Sequence, residues 1–237
     1  MARLMELNAD VGEGWDDEPI FCFVDRVSIA CGGHAGDEKS MLAALLRARD
    51  MGVIPGAHPS YPDRESFGRN PVAAEAGSVR RWLAGQTHVL KRLAEQSGTR
   101  LFHVKPHGAL YSVAAYDKAV AKEVIEAVQE IGGLALVCLA GSPLAGWARR
   151  AGLDVLEEAF ADRRYLTDGS LAPRNQAGAV IDDPAEAAAQ ARRIAHGEPV
   201  AALGGGALRL KANTLCLHAD KANALDFACA VASALDA

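Results

Sequence analysis

Four of the seven histidines, His34, His58, His107 and His218, stand directly after short apolar runs, where buried strands would release them onto one polar face. Any one of them alone is more often a satisfied structural histidine; four at strand ends make a site. Asp10, in Asn8-Ala9-Asp10, adds a carboxylate. One carboxylate with two imidazoles from other strand ends holds a divalent metal with positions left for water, and Asp10, His58 and His107 suit that pattern. Otherwise Asp10 bonds backbone amides in the turn at residues 12–14, and both readings stand. Lys105 ends an apolar run, and a lysine there meets an anion or loses its charge. That anion is a substrate carboxylate or phosphate, or else Asp10 or Glu158. Arg69 in Phe67-Gly68-Arg69 and Arg163 in Asp162-Arg163 offer forked carboxylate contacts, or salt bridges that hold a loop. His103 lies two residues before Lys105, shares its face, and reads as its structural partner. His88 and His196 fall in helical segments facing solvent.

The elements that must position these groups show as eight short apolar runs: residues 4–8, 27–31, 53–57, 101–105, 134–139, 155–160, 200–203 and 215–218. They lack clean polar alternation, as parallel strands buried on both faces do. Helices fall between them. Asp37 can cap one whose Met41, Leu42, Leu45 and Leu46 form an apolar face, with Gly52 ending it. Val120, Val124, Val128 and Ile131 keep helical spacing before Gly132. Asp183-Pro184 opens another, closed by Gly197, and Asp220 opens the last, with Leu225, Ala228, Ala232 and Leu235 facing inward. Alternating strands and helices imply βαβ units. Polar residues follow nearly every strand, Glu13, Asp63 and Asp162 among them, which favours a closed barrel over an open sheet with one switch point. The expected fold is an α/β barrel of seven or eight parallel strands forming one domain over residues 1–237.

Composition excludes several classes. With 25 Lys+Arg against 30 Asp+Glu the net charge is −5, and aromatic residues make up 5%, so a basic, ring-studded nucleic-acid surface is not expected. Hydrophobic residues at 50% supply a large core. The amino terminus carries charges where a signal peptide needs an apolar run, and the most apolar stretch, 132–147, is shorter than the ~18 residues of a membrane helix. Five scattered cysteines without a Cys-x-x-Cys pair suit a reduced, cytoplasmic protein. Gly204-Gly205-Gly206 lacks the Lys-Ser/Thr of a phosphate loop, so ATP has no recognisable site here.

Several strings together resemble the LamB/YcsF family: residues 7–14 (Leu-Asn-Ala-Asp-Val-Gly-Glu-Gly), 29–37 (Ile-Ala-Cys-Gly-Gly-His-Ala-Gly-Asp), Gly56-Ala57-His58-Pro59 and 103–111 (His-Val-Lys-Pro-His-Gly-Ala-Leu-Tyr). Phe160-Ala161-Asp162-Arg163, Asp168-Gly169 and Cys216-Leu217-His218-Ala219-Asp220 extend the match almost to the end. The resemblance implies a distorted TIM-like barrel of the glycoside hydrolase/deacetylase type. It further implies ATP-dependent opening of 5-oxo-L-proline to L-glutamate, with two partner subunits, B and C. Gly33, Glu38, Ser60, Asn70 and Ala219 stand where that family's pattern has Phe, Pro, Gly, Arg and Gly, and Gly33 and Ser60 flank His34 and His58. Under this reading Asp10, His58 and His107 position or activate water, directly or through a metal, and Lys105 holds a developing oxyanion or phosphate. Arg69 or Arg163 clamps the α-carboxylate, and His34 or His218 protonates the leaving nitrogen. A stand-alone metal-dependent deacetylase or amidohydrolase of small N-acyl substrates is the alternative, as is a non-catalytic subunit that presents a small carboxylate to its partners.

Overall fold

Seven of the eight apolar runs pair as parallel strands in the computed structural model, which describes residues 3–218 and 223–236. They are β1 (Glu6–Val11), β2 (Arg26–Ala30), β3 (Ile54–His58), β4 (His103–Val104), β5 (Ala135–Leu139), β6 (Val155–Phe160) and β9 (Thr214–Leu217), closing in the order β1-β2-β3-β4-β5-β6-β9. The expected strand at 200–203 is instead β7 (Val200–Ala201), paired antiparallel with β8 (Ala207–Leu208) outside the barrel. The physical reason is that β6 and β9 bond each other directly, Glu158 opposite Thr214 and Phe160 opposite Cys216, which leaves no gap for another strand. The first strand also begins two residues later than expected. Leu4 is exposed, and pairing runs through Val11, so Asp10 sits within β1, opposite Ser28, and not after it.

Seven α-helices occur among the described residues: α1 (Glu38–Met51), α2 (Ser78–Gln96), α3 (Gly108–Tyr116), α4 (Lys118–Ile131), α5 (Pro143–Arg150), α6 (Pro184–Ala195) and α7 (Ala224–Leu235). Asp37 caps α1 through a reciprocal pair with Ser40, and Asp117 and Asp183 cap α4 and α6. The buried face of α1 is Met41, Ala44, Leu45 and Ala48, so Leu42, expected inside, is exposed. In α7 the inward residues are Phe227, Ala228, Val231, Ala232 and Leu235, while Leu225 faces out. The expected cap Asp220 and the neighbouring Ala219 lie outside the described residues. No described helix is long and apolar enough to cross a membrane, and all five cysteines are free.

The barrel interior is polar, as the contacts of β2 with its neighbour β1 and across to β4 show. Arg26 on β2 pairs with Glu6 at 2.7 Å and places Nη1 3.3 Å from His103 Nδ1 on β4. Ser28 Oγ lies 3.1 Å from the other nitrogen of that ring. A Cβ on Gly56 of β3 would come within 2.3 Å of the His103 ring, so the glycine makes room for it. His103 therefore props the barrel below the site, as its place two residues before Lys105 implied.

Candidate active site

Lys105 follows β4 directly and is buried among residues of β1, β6 and β9. Its Nζ lies 2.9 Å from Asp10 Oδ1 and 2.8 Å from Glu158 Oε1, with Asn8 Oδ1 at 3.4 Å and Cys216 Sγ at 3.2 Å. Of the anions open to it from sequence, Asp10 and Glu158 are both taken. Burial works against the ammonium, yet Asp10 and its other neighbours hold its pKa well above the usual lysine value. Burial likewise opposes ionisation of Asp10, but His58 and Lys105 overcome it and keep the carboxyl well below the normal range. Glu158 goes the other way: burial dominates the pull of Lys105 and pushes it up to about 7. One cation is thus held between a firmly ionised carboxylate and one that titrates near neutrality.

Beside this pair, His34 follows β2, His58 ends β3, His107 precedes α3, and Glu13 comes from the turn after β1. His58 Nε2 and His107 Nδ1 are 2.9 Å apart, with the rings perpendicular. Glu13 Oε1 lies 2.9 Å from His34 Nε2, 3.3 Å from His107 Nδ1 and 3.8 Å from His58 Nε2. Burial first, then the neighbouring imidazoles, lower His107 well below the usual value, and the same causes bring His34 down to about 2. Phe67 adopts φ 55°, a left-handed conformation rare for a bulky residue, and its carbonyl oxygen meets His107 Nε2 at 2.9 Å. Among the described residues, two groups of side chains are close enough to hold a metal ion: Glu13, His34, His58 and His107, and separately Asp10, Cys216 and His218. The expected set of Asp10, His58 and His107 is therefore divided, although Asp10 Oδ2 stays 3.4 Å from His58 Nε2. Asp10 and Cys216 of the second group already contact the Lys105 ammonium.

Above both lies a cavity of about 520 Å³, lined by Asp10, Glu13, His58, Lys105, His107, His218, Arg69 and Arg163 along with apolar walls such as Phe160 and Leu171. Two expected residues do not reach it. His34 is 2% exposed, stacks on His107 at 3.6 Å and contacts Glu13 from behind. Asp162 is buried and lies 2.8 Å from His218 Nδ1, behind the histidine that lines the cavity. Arg163 Nη2 donates to Ala172 O at 2.6 Å, and Arg69 lies over the Phe67 ring at 4.9 Å. Sequence reasoning missed Glu13 and Arg174 as site residues. Glu13 carried a signal, three residues after Asp10 in a turn between two glycines; Arg174 sits in an irregular excursion after β6 that no periodicity marks.

The departures beside His34 and His58 accommodate each other. A Cβ on Gly33 would lie 2.5 Å from both Ser60 Oγ and Gln86 Oε1, while Gln86 brackets the Ser60 peptide with bonds of 3.0 and 2.7 Å.

Comparison with known proteins agrees with this architecture. A solved structure of a lactam utilization protein from Thermus thermophilus superposes with a TM-score of 0.91 at 41% identity, covering 98% of this chain and 96% of that one. The A subunit of 5-oxoprolinase from Methylococcus capsulatus is 44% identical over 96% of this chain and 90% of its own length. Its counterpart in Chloroflexus aggregans is 43% identical, over 98% and 95% respectively. The family model described as LamB/YcsF matches residues 5–237, and the chain belongs to the LamB/YcsF family.

Proposed function

We propose that this protein hydrolyses the cyclic amide of 5-oxo-L-proline to L-glutamate, as the A subunit of an ATP-dependent 5-oxoprolinase working with partner subunits B and C. The observation that carries this reading is the small cavity whose floor is the Asp10–Lys105 pair and whose rim presents Arg69 and Arg163. Such a site suits a compact substrate with a carboxylate at one end and a reacting carbonyl at the other. The relatives named above support the choice of lactam.

A five-membered lactam recloses readily, because its amine and carboxyl are held together. ATP removes that disadvantage if its γ-phosphoryl group is transferred to the amide oxygen. Water then adds to the ring carbon, the C–N bond breaks as the nitrogen takes a proton, and the acyl phosphate so formed is hydrolysed by a second water to release phosphate and the free carboxylate. In this reading the partners or the assembled complex carry out the phosphorylation, since the chain has no phosphate loop. Arg69 or Arg163 clamps the α-carboxylate. Lys105 stabilises the oxygen that gains charge, and Asp10, held ionised, orients the attacking water with His58 and His107. His218, oriented by Asp162, is better placed than the recessed His34 to protonate the nitrogen. The use of ATP and the free thiols fit a cytoplasmic enzyme.

The test is to incubate the chain with 5-oxo-L-proline and ATP, with and without its partner subunits, and to assay glutamate. Glutamate formed only with partners supports the reading. Full turnover by Lys105→Ala in the reconstituted complex would sink it. The imidazole cluster favours one second reading, a metal-dependent amidohydrolase, which would act on N-acyl substrates without ATP or partners.

A further inference from the structure

The two imidazoles at the centre of the site are locked by backbone oxygens. His58 Nδ1 is 2.7 Å from Lys105 O, and His107 Nε2 is 2.9 Å from Phe67 O. A carbonyl only accepts, so each of these nitrogens must carry the proton and donate it. When both rings are neutral, the remaining nitrogens, His58 Nε2 and His107 Nδ1, hold lone pairs that point at each other across 2.9 Å. Two facing lone pairs repel unless something positive sits between or beside them. Glu13 Oε1, 3.3 Å from one and 3.8 Å from the other, brings a third donor atom to the same spot.

We propose that His58 Nε2, His107 Nδ1 and Glu13 Oε1 bind a divalent transition-metal ion on the cavity floor. Perpendicular rings let both lone pairs converge on one ion. A protonated ring nitrogen bonded to a backbone carbonyl is the usual outer support of a histidine ligand. Two nitrogens and one oxygen suit zinc, cobalt or a similar borderline ion, and three protein ligands leave coordination positions open to the cavity. His34 is excluded as a ligand by its stacking: its ring lies parallel to His107 at 3.6 Å and 3°, so its nitrogens cannot aim at the same point. It instead holds Glu13 through Nε2 at 2.9 Å. Asp10 is excluded because both of its oxygens face Lys105 Nζ, at 2.9 and 3.1 Å. In the other group, Asp10 and Cys216 already face a cation in that ammonium, and His218 is paired with Asp162. When bound, such an ion supplies Lewis acidity to the reacting carbonyl.

This inference deepens the ring-opening reading, but metal binding is measured without lactam or partners, so the two fail separately. The full chain is stripped with a chelator and titrated at neutral pH with Co²⁺ and Zn²⁺, following visible absorption and, after gel filtration, metal content. The expected result is one ion per chain with the absorption of an imidazole-ligated Co²⁺. Glu13→Gln and His107→Ala should bind at least about tenfold more weakly, and His34→Gln about ten- to a hundredfold more weakly as a supporting residue. Asp10→Asn should keep the ion. No retained metal in the wild-type chain would overturn the proposal and leave a shared proton between the two imidazoles. Loss of metal in Asp10→Asn with retention in Glu13→Gln would overturn the ligand set. The wild-type titration decides the first point even if a variant fails to fold.

Discussion

A buried lysine with two carboxylates at under 3 Å leaves little freedom to any of the three. Removing one partner of a buried ion pair is costly, so Lys105→Met is expected to destabilise the chain by about 3–5 kcal/mol. Urea unfolding of the variant checks that figure. Glu158→Gln should behave differently. The folded-state pKa of Glu158, raised to about 7, exceeds the unfolded value, so its burial is easiest when protonated and becomes unfavourable as pH rises through 7. The stability of Glu158→Gln relative to wild type should therefore improve between pH 5.5 and pH 8, measured as the difference in urea midpoints. A shrinking difference would contradict the assignment. Lys105 was legible at this scale because a cation at the end of a buried run needs an anion, and Asp10 and Glu158 were both in view. Glu13 was only half legible: its place three residues after Asp10 marked it, but a carboxylate in a Gly-flanked turn looks the same whether it meets water or three imidazoles.

At the scale of elements, β3 and β4 meet where Gly56 admits the ring of His103. Gly56→Ala should cost several kcal/mol in the native chain and much less in a His103→Ala background, since the clash needs both partners. A double-mutant cycle by thermal unfolding measures that coupling. Asp37→Ala should remove the capping box of α1 and cost about 1 kcal/mol, read from the same experiment. Helices announced by caps, at Asp37 and Asp183, were readable in advance, because capping is local chemistry. The run at 200–203 was not assignable to barrel or hairpin. Its apolar composition is common to both, and the direct bonding of β6 to β9 that excludes it is a long-range fact. Leu42 and Leu225 were misplaced for a related reason: a helix rich in small apolar residues offers more than one plausible inward stripe.

Taken as a whole, the molecule folds around imidazoles that it keeps uncharged. His34, His103 and His107 all have pKa values depressed by burial, whereas the unfolded chain takes up protons near pH 6.5. Below that pH the unfolded state binds more protons, so stability falls as pH falls. Glu158 acts in the opposite sense between about 4.5 and 7, but one carboxyl is outnumbered by three rings. Urea midpoints of the metal-free chain should drop steadily from pH 7 to pH 5, and a flat profile would show that these rings are not buried neutral. The closed barrel and the convergence of strand-end residues were legible because polar residues after almost every strand leave few other arrangements. The distribution of labour between barrel and excursion was not. Because β6 pairs directly with β9, everything from residue 161 to 213 hangs outside the wall, and its first part brings Arg163, Leu171 and Arg174 over the cavity. The Asp10–Lys105 pair and the residues that close over the cavity thus lie on different stretches of chain. Exchanging residues 161–183 with those of a relative should retune which ring is accepted, as a changed KM, while the buried Asp10–Lys105–Glu158 triad and its titration pass through untouched.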